Sequence, residues 1–354
     1  MSQGSNHLEP PLKMCSYKAH FEPGLSKRLV VKPSPIHRRL GYLLGLAAHP
    51  YERGVRSTEG EHIVDTYARY TRVTPVDNPP FENEYLVEIT EKTPPISDGL
   101  STHRINSGTI VKLFADTEDL LREAHSINLV RCLTSIPVPN VRQLLVSPIG
   151  SGMVDTYMVM DYVEGESLDK CWGKLGLISK IKIAWQLRGY VSQLQTIQTL
   201  IPGPVDGSAC VGFYFTETGA GPFASYDDMT AWFNHKLSVN ERFAPRPPGT
   251  KKLDTPNIAK FDMSWPLVFT HQDLCPRNII LSKDGSLCIV DWAWAGFYPA
   301  WFEYAGMKRY DDLPASWNFF IPFISGKLPL SNMEELHSKY LMGNRSWCDS
   351  LVAG

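Results

Sequence analysis

One stretch of the chain concentrates the residues that could do chemistry. His271-Gln272-Asp273-Leu274-Cys275-Pro276-Arg277-Asn278 has the form H-x-D-x-x-x-x-N, and Asp291 follows thirteen residues after Asn278. Phosphoryl transfer needs such a set. A carboxylate must take or orient the proton of the acceptor hydroxyl, and hard oxygens must hold the magnesium that bridges the nucleotide phosphates. Asp273 suits the first task; Asn278 and Asp291 suit the second. Cys275 shares the loop but has no evident His and Asp partners, which argues against a nucleophilic thiol.

The elements around these residues explain how they could meet. Two short apolar runs flank Lys283-Asp284-Gly285, and Asp-Gly between such runs signals a hairpin. Asn278 starts its first strand and Asp291 ends its second, so closing the hairpin brings both to one end. Upstream, residues 85–90, 109–114 and 156–163 are rich in β-branched and aromatic residues and predict strands. Leu120, Ala124, Ile127 and Val130 recur at helical spacing within 116–133, with acidic residues near the start, and Ile136-Pro137-Val138-Pro139 ends that helix. A long helix is expected over 179–200, with Ile183, Ala184, Leu187, Val191, Leu194 and Ile197 on one face, and a shorter one over 227–237. No internal repeat of fixed period is present.

The segment from Phe269 to Asn278, continued by Ile289-Val290-Asp291-Trp292-Ala293-Trp294-Ala295-Gly296-Phe297-Tyr298-Pro299, resembles the fungal branch of the aminoglycoside phosphotransferase family. Over residues 105–205 the resemblance continues more weakly. It implies an α+β, two-lobed, protein-kinase-like fold: a small β-rich N-lobe with one helix and a larger, mainly helical C-lobe. It also implies ATP and Mg²⁺ as cofactors, with Asp273 as catalytic base, Asn278 and Asp291 as metal ligands, and His271 as a prop for the loop. Thr109-Ile110-Val111-Lys112-Leu113 looks like the family's strand with the phosphate-contacting lysine, and Arg122-Glu123-Ala124 like its helix with the partner glutamate. Lys112 and Glu123 are thus candidates for the ion pair that positions the phosphates. Met160, Asp161, Tyr162 and Val163 would form the hinge facing the adenine. The expected division is an N-terminal extension over 1–84, a nucleotide-binding lobe and hinge over 85–163, and a catalytic, substrate-binding lobe over 164–354.

Composition narrows the alternatives. At 354 residues the chain exceeds one typical hydrophobic core, in keeping with two lobes. A formal net charge of -2 supplies no field for nucleic acid or anionic membrane. No apolar run approaches the ~20 residues of a membrane helix, and the polar N-terminus carries no secretory-signal pattern. Seven scattered cysteines without a C-x-x-C pair fit reduced thiols and a cytoplasmic location. The expected reaction is transfer of the γ-phosphoryl group of ATP to a hydroxyl of a small molecule. The residues between 93 and 108 lack a G-x-G-x-x-G loop, which motivates the alternative of a nucleotide-binding pseudokinase acting as scaffold or regulator. Asp291-Trp292 in place of Asp-Phe-Gly, without an Ala-Pro-Glu segment, argues against a protein kinase. Trp292, Trp294, Tyr298 and Trp301 suit either a substrate wall or core. The acidic pairs Asp311-Asp312 and Glu334-Glu335 could attract a cationic acceptor or simply face water.

Overall fold

The computed structural model describes residues 15–19, 73–75, 78–97, 101–149, 153–215, 219–243, 261, 263–310 and 312–326. Its first half builds β1 (Cys15–Ala19), β2 (Val73–Pro75), α1 (Asn83–Lys92), β3 (Thr102–Asn106), β4 (Thr109–Phe114), α2 (Thr117–Leu133), β5 (Val141–Ile149) and β6 (Met153–Asp161). The strands form one antiparallel sheet in the order β2-β1-β5-β6-β4-β3. Side chains alternate across a strand. Val111, Leu145, Tyr157 and Val159 accordingly pack with Leu86 of α1, while Leu144, Met158, Met160 and the half-buried Ile110 join Leu120, Ala124 and Ile127 of α2 in the main core. Lys112 shares the face of Ile110, and this parity turns it toward α2.

Helix α2 starts where Asp116 accepts a hydrogen bond from the Asp119 amide at 2.7 Å, an N-cap that satisfies one orphan donor of the first turn. Residues 85–90, expected as a strand, are helical instead. Leu86 and Thr90 are buried four residues apart, Tyr85 and Glu88 face water, and Lys92 pairs with Glu88 one turn back. Helical periodicity and the charged flanks override the β-branched content. The N-lobe therefore carries two helices rather than one. In place of a first strand there is only an isolated bridge between Pro95 and His103. Cys15–Ala19 and Val73–Pro75, both from the stretch read as an extension, add two strands to the sheet through the pairing of β1 with β5.

Beyond the hinge lie β7 (Glu166–Ser167), α3 (Leu177–Leu194), β8 (Gln198–Thr199), α4 (Tyr226–Phe243), β9 (Leu267–Thr270), β10 (Ile279–Leu281), β11 (Leu287–Ile289), β12 (Gly296–Pro299), α5 (Trp301–Met307) and α6 (Ala315–Ser325). Helix α3 is shorter than expected, because the chain extends into β8 to pair with β9. The predicted hairpin is present: Ile279 opposes Ile289 and Leu281 opposes Leu287, with Gly285 at φ 84 in the turn. Gly165 lets the hinge chain lie against this hairpin, since a Cβ there would stand 2.5 Å from the Leu281 carbonyl oxygen. Tyr298 and Trp301 are buried in an aromatic core with Tyr214, Phe233 and Phe302, while Trp292 is buried against Phe269 and the His271 ring, so all three are packing residues. The α+β, two-lobed arrangement thus matches the expectation in all but the first helix. Among the described residues, no helix is long and apolar enough to cross a membrane.

Candidate active site

Strand β9 is buried along its whole length and delivers the chain to His271, beyond which the backbone turns sharply. The His271 amide donates to Glu303 Oε2 of α5 at 2.7 Å. The Asp273 amide stands 3.2 Å from His271 Nδ1, so Nδ1 accepts and the protonated Nε2 donates to the Val290 carbonyl at 3.1 Å. Burial outweighs the neighbouring Asp273 and Asp291 charges and holds the His271 pKa below its ordinary value, so the ring is neutral. It ties the loop to the segment that carries Asp291. Two non-glycine residues sit in the left-handed region, Gln272 at φ 63 and Asp291 at φ 65. Such geometry costs free energy and persists where the surroundings enforce it. At Gln272 the side-chain amide donates to the Trp294 carbonyl at 2.7 Å.

Asp273 is enclosed. Its Oδ2 accepts from Asn278 Nδ2 at 3.0 Å and from Arg277 Nη2 at 3.0 Å. Its Oδ1 accepts from Arg309 Nη2 at 3.1 Å and from the Tyr310 hydroxyl at 3.0 Å. The Arg309 guanidinium carbon lies 4.3 Å from the ring centroids of both Trp294 and Tyr310 and 5.1 Å from that of Phe213, an aromatic seat for a cation. Arg277 also contacts the Tyr310 hydroxyl and lies 4.5 Å above its ring.

On the opposite side, Lys112 links the lobes. Its Nζ is 2.7 Å from Glu123 Oε2 and 2.9 Å from Asp291 Oδ1. Burial alone would lower the Lys112 pKa, but the two carboxylates outweigh it and hold the ammonium above its usual range. Burial likewise works to raise Asp291, and the Lys112 charge overrides it, leaving Asp291 below the usual carboxylate range. For Glu123, buried completely, desolvation dominates and the shift is upward despite Lys112.

Asn278 closes the 3₁₀ turn before β10, and the Val290 amide donates to its carbonyl at 3.0 Å, so the hairpin base holds Asn278 beside the Asp291 segment. The Asn278 side-chain amide donates to both the carbonyl and Oδ2 of Asp273, which directs its own oxygen elsewhere. At the hinge, Met160 is buried and laddered to β4 and β5, and the amides of Asp161 and Tyr162 bind the carbonyls of Asn140 and Gly108 at 3.1 and 3.0 Å. Arg142 holds the Asp161 carboxylate at 2.5 Å, and Arg104 lies 3.7 Å over the Tyr162 ring. Val163 follows as the half-buried first residue after the strand pairing.

Lys112, Glu123, Asp291, Asn278, Asp273 and His271 therefore form one connected set, with Met160 to Val163 at the lobe junction. Sequence reasoning missed Arg309, Tyr310, Glu303 and any role for Arg277. Arg309 and Tyr310 lie 36 and 37 residues beyond Asp273, and no spacing rule ties them to it. Trp294, unlike the other motif aromatics, lines the Asp273 surround. Of the acidic pairs, Asp312 is exposed, and Asp311, Glu334 and Glu335 lie outside the described residues.

The chain is similar to solved structures of a thermostable mutant of aminoglycoside phosphotransferase APH(4)-Ia in apo form (12% identity, 77% of this chain and 94% of that chain, TM-score 0.47). Others are the GDP complex of wild-type aminoglycoside 2'-phosphotransferase-IIIa (14%, 74% and 89%, TM-score 0.44) and a streptomycin-ATP-APH(2")-IIa ternary complex (13%, 72% and 86%, TM-score 0.42). No curated protein matches the chain. The model of the APH phosphotransferase enzyme family matches residues 92–318, a span that holds every candidate site residue from Lys112 to Asp291, and the chain belongs to that family.

Proposed function

We propose that this phosphotransferase moves the γ-phosphoryl group of ATP to a hydroxyl of a small molecule, in the cytoplasm, with magnesium as cofactor. The observation that carries the reading is the Lys112 bridge, 2.7 Å to Glu123 and 2.9 Å to Asp291, which joins the N-lobe to the segment neighbouring Asp273 and Asn278. Lys112, fixed by Glu123, would neutralise charge on the nucleotide phosphates. The acceptor hydroxyl would give its proton to Asp273 as its oxygen bonds the γ phosphorus, and the bond from that phosphorus to the β-phosphate oxygen would break, its electrons leaving with ADP.

The donor set fits magnesium. The side-chain oxygen Oδ1 of Asn278 and the Asp291 oxygen not taken by Lys112 are hard ligands, which magnesium would supplement with phosphate oxygens and water. When bound, the cation would offset the charge developing on the phosphates. Near the adenine, the Asp161 and Tyr162 amides are engaged by Asn140 and Gly108, so contacts to the base would come from other backbone groups of residues 160–163. Cys132, Cys171, Cys210, Cys275 and Cys288 are free and buried, which supports a reduced setting.

A second reading, a nucleotide-binding regulator without turnover, draws on the Asp273 carboxylate being engaged by four donors, Asn278, Arg277, Arg309 and Tyr310. An ATP-consumption screen over small-molecule hydroxyl compounds separates the two when paired with a Mg·ATP thermal shift. Asp273→Ala should keep the thermal shift and lose most turnover, and Asp291→Ala should lose the shift itself. Equal turnover in wild type and Asp273→Ala overturns the mechanism.

A further inference from the structure

Two guanidiniums and a phenol converge on one carboxylate at Asp273. Within this cluster two positive charges stand against one negative, a net charge of about +1 by simple Coulomb counting. Asp291 is held by Lys112, which it shares with Glu123, on the nucleotide side, Glu303 is buried behind the loop, and Asp312, two residues past Tyr310, is exposed. A polycationic acceptor would meet repulsion here. An anionic one would be attracted, and planar guanidiniums are suited to gripping carboxylate or phosphate oxygens.

The two arginines differ in freedom. Arg309 has a side chain only 8% exposed, seated among Trp294, Tyr310 and Phe213, and it is a fixed charge. Arg277 has a side chain 49% exposed and, among the described residues, bonds Asp273 and Tyr310, so it can turn outward. Its departure would free one lone pair of Asp273 Oδ2, which in its present arrangement is occupied by a donor.

We propose that the phosphoryl acceptor is a hydroxyl compound that also bears an anionic group, a carboxylate or a phosphate monoester, and that Arg277 and Arg309 bind this group. Binding draws Arg277 off Asp273, and the vacated Oδ2 takes the proton of the acceptor hydroxyl as its oxygen bonds the γ phosphorus and ADP leaves with the bond's electron pair. The assignment rests on the phosphotransfer reading, deepens it by naming the acceptor class, and explains how a saturated base could become competent.

The test uses the full chain in two steps. With the non-hydrolysable ATP analogue Mg·AMP-PNP saturating, so that the γ-phosphate position is filled as well, inorganic phosphate and acetate are titrated in a thermal-shift assay. The expected result is a further rise in Tm with at least one anion in wild type that is lost in Arg277→Gln; which anion acts distinguishes phosphate from carboxylate. No rise with either in wild type overturns the acceptor assignment. No shift with Mg·AMP-PNP itself overturns the phosphotransfer reading, and the acceptor assignment falls with it. In the second step, acceptors found by ATP consumption are grouped by charge. Arg277→Gln should raise KM for anionic acceptors on the order of tenfold to a hundredfold while changing kcat less, as loss of a charge-assisted hydrogen bond implies. Faster turnover of cationic than of anionic acceptors overturns the assignment and leaves the phosphotransfer reading standing.

Discussion

Gly306 of α5 lies directly against the backbone of Gln272: a Cβ built at Gly306 would stand 2.1 Å from the Gln272 carbonyl oxygen. The contact falls on the residue whose φ of 63 starts the catalytic loop, so α5 is the surface on which that conformation rests. Gly306→Ala must displace backbone rather than a flexible side chain. It should cost about 2 kcal/mol or more, overpacking outweighing the roughly 1 kcal/mol that alanine adds in a helix. Gly189 of α3 is the control, because a Cβ there meets nothing within 4 Å. Thermal unfolding should place Gly306→Ala below wild type and Gly189→Ala at or above it. Coincident Tm values for the two variants would refute the account.

Glu303 gives the protein a pH signature. Burial pushes its carboxyl from an ordinary 4.5 up to about 7, against the pull of the His271 amide. A raised folded-state pKa means the native state binds more protons than the unfolded state between those values. The stability contribution is fully present below about pH 4.5 and is lost as pH rises through about 7, by at most about 3 kcal/mol. Glu303→Gln keeps an oxygen for the His271 amide and cannot ionise. The stability difference between variant and wild type should therefore grow in the variant's favour from pH 5 to pH 8, read by denaturant titration; a difference independent of pH would exclude the shift.

Much of the donor side was legible because its chemistry is local. The motif from His271 to Asn278 is contiguous, Asp284-Gly285 announces the hairpin that returns Asp291, and the pairing of Lys112 with Glu123 follows from the family resemblance of their short segments rather than from spacing. The misreading of 85–90 has the same local origin: Val87, Ile89 and Thr90 suggest a strand by type, whereas burial of Leu86 and Thr90 shows that spacing governs. The acceptor side was hidden for a different reason. Arg309 and Tyr310 reach Asp273 only because α5 packs under the loop, and Gly306 reads in sequence as an indifferent helix residue until its contact with Gln272 is seen.

Cys275 tests whether proximity to the site implies reactivity. Burial, reinforced by the Asp273 charge, pushes its thiol up to about 12, and Cys288 of β11 is likewise raised to about 12 by burial. Thiolate is the reactive form, so both should be inert at neutral pH. Native protein treated with iodoacetamide at pH 7.5 should leave Cys275 and Cys288 unmodified by peptide mapping, and both should label after denaturation. Rapid native alkylation of Cys275 would contradict the burial argument.

The lobe-bridging cluster supplies the most demanding test. Lys112 compensates Glu123, which is 1% exposed, and Asp291, whose side chain is 40% exposed and can turn to water. Lys112→Met should thus strand one buried carboxylate rather than two, and removing one partner of a buried pair costs about 3–5 kcal/mol. Desolvation already raises Glu123, and without Lys112 its protonation becomes easier still. The penalty should be largest at alkaline pH and shrink as pH falls, because the neutral acid needs no partner. Lys112→Met combined with Glu123→Gln should recover most of the lost stability, since a neutral amide replaces the stranded charge, while Mg·ATP binding stays weak because the phosphate-facing ammonium is gone. The cycle of wild type, two single variants and the double variant, measured at pH 6 and pH 8.5, isolates the coupling. Additive losses with no pH dependence would show that Lys112 and Glu123 stabilise the N-lobe independently, and the ion pair would then have no part in holding the lysine toward Asp291.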